Sequence, residues 1–79
     1  MKEILKKSIE WFEKAAEMGS VDAMVQVANL YRFSEEESKA IYWLTKGAKL
    51  NYFPAMIGLI EIEEIIKNYL KVRFVTYKN

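Results

Sequence analysis

Apolar residues recur at intervals of three and four through the opening stretch: Ile4, Leu5, Ile9, Phe12, Ala15 and Ala16. Glu3, Lys6, Lys7, Glu10, Lys14 and Glu17 fill much of the other side. This spacing predicts an amphipathic helix over 2–18. Gly19 follows, a residue that enters the left-handed conformation of a helix end at little cost. Ser20 or Asp22 can then accept from the first free amides of a second helix, predicted over 21–33. Its buried stripe reads Ala23, Met24, Val27, Ala28 and Tyr31. Val25 and Leu30 widen that stripe, as a middle helix touching neighbours on two sides requires.

Ser34, followed three residues later by Glu37, has the form of a capping box and predicts a third helix over 35–50. Ala40, Ile41, Leu44 and Ala48 are its expected inner residues, with Trp43 leaning to the side. Pro54 suits the first position of a fourth helix, because the amide hydrogen it lacks would be unpaired there. That helix is predicted over 54–71, with Met56, Leu59, Ile60, Ile62, Ile66, Tyr69 and Leu70 covering much of its circumference. Beyond it, Val72, Val75 and Tyr77 favour extended backbone, while a helical pattern continues equally well through Arg73 or Phe74. Both conformations stay open at this point.

The chain also repeats itself. Ile9–Met24 matches Ile41–Met56 at an offset of thirty-two residues, with Ile, Trp, Lys, Ala, Ala and Met identical at six of sixteen positions. A repeat of that length predicts stacked helix pairs, each burying its apolar face on the next. The expected fold is all-α: about four antiparallel helices forming a fragment of a right-handed α-α superhelix, in one domain over 1–79.

Composition narrows the chemistry. The 79 residues contain no cysteine and no histidine, which excludes disulfides, the usual zinc patterns and any cysteine or histidine nucleophile. Twelve basic residues against eleven acidic ones leave a net charge of +1, too weak a field to steer the whole molecule onto nucleic acid. No run approaches the roughly 20 apolar residues that span a bilayer, and charges interrupt any signal-peptide core near the start. A soluble, cytoplasmic protein without membrane contact is the expectation. Glu61 with Glu64, and Glu10 with Glu13, read as solvated helix faces and not as general acids or bases. Glu35–Glu37 are absorbed by the helix start, and the three glycines stand too far apart to cradle phosphate. No enzyme, cofactor or metal, and no catalytic, cofactor-binding or metal-ligating residue, is therefore expected. Lys67, Lys71, Arg73 and Lys78, interleaved with Tyr69, Phe74 and Tyr77, form a mildly basic end. Such a mixture suits nucleic acid, but Glu61, Glu63 and Glu64 stand beside it.

EKAAEMGSVDAMVQVANLY at 13–31 and ESKAIYWLTKGA at 37–48 together resemble the Sel1-like repeats, a subclass of the tetratricopeptide-type helix-pair repeats. The resemblance covers roughly 5–60. Val27-Ala28 replaces the family's leucine-glycine pair, Gly47 replaces an alanine, and the Gly-rich loop is shortened to RFSEEES. Glu63 stands where a second tyrosine corresponding to Tyr31 would fall. The resemblance implies a curved stack of helix pairs acting as a non-enzymatic adaptor, often in bacteria.

The leading expectation is a module that binds another protein or peptide. Trp11, Tyr31, Trp43, Ile62, Ile66, Tyr69, Leu70 and Phe74 are the candidate contacts, and 56–77 is a candidate surface for self-association. A capping fragment of a longer helical-repeat array is the second reading. A small nucleic-acid-associated regulator using the basic end is the third.

Overall fold

The computed structural model describes the backbone from Lys2 to Lys78 and side chains as far as Val75. Four helices follow one another: α1 (Lys2–Glu17), α2 (Val21–Phe33), α3 (Glu37–Lys49) and α4 (Phe53–Lys78). They form an antiparallel, extended, superhelical-like array. Each helix packs on its neighbours in sequence, and α2 also touches α4.

All three turns are built alike. Gly19, Glu35 and Asn51 take φ of 101°, 64° and 64°, and they fall sixteen residues apart. Each is the left-handed residue of a Schellman ending. After α1, Gly19 N–H donates to the Ala16 carbonyl at 3.0 Å and Ser20 N–H to Ala15 at 3.1 Å. After α2, Glu35 donates to Arg32 at 3.1 Å and Glu36 to Tyr31 at 2.8 Å. After α3, Asn51 donates to Ala48 at 2.9 Å and Tyr52 to Gly47 at 3.0 Å. One turn geometry, used every sixteen residues, sets the antiparallel order.

This geometry corrects the capping box. Ser34 is the C-cap of α2, its hydroxyl donating to the Tyr31 carbonyl at 3.1 Å. The N-cap of α3 is Glu36, without a side-chain cap, and the helix begins at Glu37. Residues 34–36 complete the end of α2, so they are not available as the first turn of α3. Ser20 caps α2 as expected, accepting from Ala23 N–H at 3.2 Å.

The core is centred on α2, whose Ala23, Met24, Val27, Ala28 and Tyr31 are all buried. On α3 the buried residues are Ala40, Trp43, Leu44 and Gly47. Ile41, expected inside, is 36% exposed, whereas Trp43 is only 4% exposed. Because α3 must face α2 and α4 together, its packed stripe is rotated toward Trp43 and Gly47. Gly47 lets α3 and α4 approach closely: a Cβ there would lie 2.8 Å from that of Ala55.

The fourth helix continues past the predicted 71 to Lys78, so the 72–78 backbone is helical and not extended. Its packed seam runs through Ala55, Gly58 and Ile62, and every described side chain from Glu63 to Val75 is exposed. A helix of 26 residues is about 39 Å long, which explains the 49 Å long axis of the molecule. The radius of gyration of 14.5 Å exceeds the about 12 Å of a compact domain this size. Among the described residues, no helix is long and apolar enough to cross a membrane.

Candidate functional site

Two grooves lie beside the two tryptophans. Trp43 lines the first, of about 450 Å³, which α1, α2 and α3 build together. Glu13 on α1 is its polar centre. The Tyr31 hydroxyl donates to Glu13 Oε2 at 2.5 Å, and Trp43 Nε1 donates to the same oxygen at 3.4 Å. Lys39 and Lys46, one turn to either side of Trp43 on α3, close the groove with positive charge. Lys39 Nζ lies 5.4 Å from the Tyr31 ring centre and Lys46 Nζ 5.4 Å from that of Trp43, both within cation–π range. Tyr42 stands edge-on to Trp43, centroids 5.1 Å apart at 81°. Burial, and then the hydrogen bond to Glu13, push the Tyr31 hydroxyl well above its ordinary pKa.

The second groove, about 500 Å³, lies along α1 between Lys7, Glu10, Trp11 and Lys14. Trp11 is 73% exposed there. The two tryptophans therefore share a helical conformation and a repeat position but meet different surroundings. Trp43 is covered by α1 and α2, whereas no described helix precedes α1 to cover Trp11.

The remaining candidate contacts divide in the same way. Tyr31, Trp43 and Ile62 are core residues, and Ile66, Tyr69, Leu70 and Phe74 are exposed on α4. The basic end is partly neutralised, since Lys67 pairs with Glu63 at 3.2 Å. The side chains of Tyr77 and Lys78 lie outside the described residues. Glu13 was missed as the centre of the first groove. Its sequence signal was the presence of two ring donors, Tyr31 and Trp43, eighteen and thirty residues away, whose polar atoms need an acceptor once buried. A second cross-link joins the helix pairs, as the Tyr52 hydroxyl donates to Asp22. Arg32 also reaches Glu61 at 3.5 Å, tying α2 to α4.

These features define an elongated array of two antiparallel helix pairs, consistent with a generic helical-repeat architecture. Comparison with protein-family models, with curated proteins and with solved structures gives no match.

Proposed function

We propose that the chain is a protein-interaction module, a non-enzymatic adaptor that works by shape and apolar contact. The observation behind this reading is the uncovered half of α4. Ala55, Gly58 and Ile62 form its packed seam at spacings of three and four, and Ile66 and Tyr69 continue the same face. They are 48% and 62% exposed, and Ile65, Leu70, Val72 and Val75 beside them are also exposed. A helix half that displays so much apolar surface fits a hydrophobic partner groove or helix. The resemblance to Sel1-like repeats supports an adaptor role, and the lack of cysteine agrees with a reducing, cytoplasmic setting.

Paired glutamates at Ile66 and Tyr69 test the reading. The double variant is expected to keep its helical circular dichroism and to lose the proteins that the wild-type chain retains from its native host. Equal retention by both chains would sink it.

A further inference from the structure

We propose that the Trp11 face of α1 is half of a joint whose other half is α4 of a second copy, so that copies stack head to tail. This deepens the interaction reading but uses a different stripe of α4.

The thirty-two-residue shift places α1 on α3 and α2 on α4. The buried residues of α3 are Ala40, Trp43, Leu44 and Gly47. Their α1 counterparts, Ser8, Trp11, Phe12 and Ala15, are half-buried or exposed. The same comparison at the other end pairs buried Met24, Val27, Ala28 and Tyr31 with Met56, Leu59, Ile60 and Glu63, none of which is buried. Ala28 is 0% exposed, and Ile60 is 61% exposed. The cause is topological: among the described residues, α1 has no helix before it to cover it as α2 covers α3, and α4 has none after it to cover it as α3 covers α2. Each end of the molecule displays the element that the other end is missing.

The polar residues select this occupant. Inside the chain, Glu13 receives Tyr31 and Trp43, and Lys39 lies against Tyr31. Shifted by one repeat, Thr45 takes the place of Glu13 and offers no carboxylate. Glu63 takes the place of Tyr31 and does offer one. Its neighbours in the joint are Trp11 and Lys7 of the next copy, in the places of Trp43 and Lys39. The acid has moved from one helix to the other, and the indole N–H and the ammonium still meet it. In the single chain, among the described residues, Glu63 pairs with the exposed Lys67, a pairing that exchanges at little cost. Such a joint is heterologous, so copies close into a ring or grow with concentration.

Sedimentation over a wide concentration range tests the joint. Wild type is expected to exceed the 9.3 kDa of one chain as concentration rises. Trp11→Glu blocks one half and Ile60→Glu the other, so each variant alone stays monomeric. Mixed in equal amounts they form a dimer of two chains, because each keeps the half that the other has lost. Exposed positions provide a second route: Glu63→Lys is expected to abolish association and Lys7→Glu, added to it, to restore it. A wild type that is monomeric throughout, a Trp11→Glu chain that associates as wild type does, or a mixture that stays monomeric each overturns the joint. A monomeric wild type would leave the Ile66–Tyr69 reading to its own test.

Discussion

The Tyr31 hydroxyl donates to Glu13 across 2.5 Å, tying α2 to α1 at the point where Trp43 Nε1 also arrives. Tyr31→Phe keeps the buried ring and removes only this bond. The expected loss of stability is about 1.5–3 kcal/mol, the range for a hydrogen bond to a charged group, measured by urea unfolding near neutral pH.

The same bond sets an alkaline limit. Burial and Glu13 raise the Tyr31 pKa in the folded chain above the ordinary value of 10.0. Below that value both states hold the proton and the contribution is complete. Above it the unfolded chain releases the proton first, so stability falls as pH rises. Unfolding measured from pH 8 upward should decline past about pH 10, and Tyr31→Phe should flatten that decline. The slope that remains includes Tyr52, raised chiefly by its bond to Asp22.

Equal residues at equivalent repeat positions should respond unequally. Trp43→Ala empties a core site and is expected to cost about 3–5 kcal/mol. Trp11→Ala alters an exposed side chain and should stay within about 0.5 kcal/mol. Thermal or urea unfolding of the two single variants, at concentrations where the chain is monomeric, makes the comparison.

These contrasts show what was legible in the chain. The five buried residues of α2 could be read directly, because a middle helix enclosed on two sides leaves a plain spacing pattern. On α3 the pattern allowed two stripes, and the positions of α1 and α2 around Trp43 and of α4 against Gly47 favour these residues over Ile41. Ser34 failed as a helix start because a box and a Schellman turn draw on the same residue types; the chain reversal decides between them. The end of α4 carries β-branched residues whose local preference is weak against an established helix. The unlike exposure of Trp11 and Trp43 was invisible, since a repeat fixes a residue's register and leaves open whether a neighbour is there.

At the turn between α2 and α3, Glu35 holds a φ of 64°, a conformation that burdens a non-glycine residue by roughly 1–2 kcal/mol. Glu35→Gly relieves it and should stabilise the chain by up to about 1 kcal/mol, less what the more flexible unfolded chain takes back. Gly19→Ala, at the matching turn, should destabilise it by a similar amount. A thermal midpoint that moves the same way for both would contradict the shared geometry.

At the contact of α3 with α4, helix propensity and packing oppose each other, which makes Gly47 informative. Alanine there favours the helical state by about 1 kcal/mol, but its Cβ would come within 2.8 Å of the Ala55 Cβ. Neither atom belongs to a flexible side chain, so the helices themselves must separate, and overpacking of this kind costs about 1–3 kcal/mol. The net expectation for Gly47→Ala is destabilisation, read as a lower urea midpoint. At Gly58 the nearest atom is a Leu44 methyl carbon at 2.9 Å, the end of a rotatable side chain and not a Cβ fixed to the backbone. Gly58→Ala should therefore lose less. The order of the two variants reports directly on how tightly α4 is held along the stretch that anchors its uncovered half.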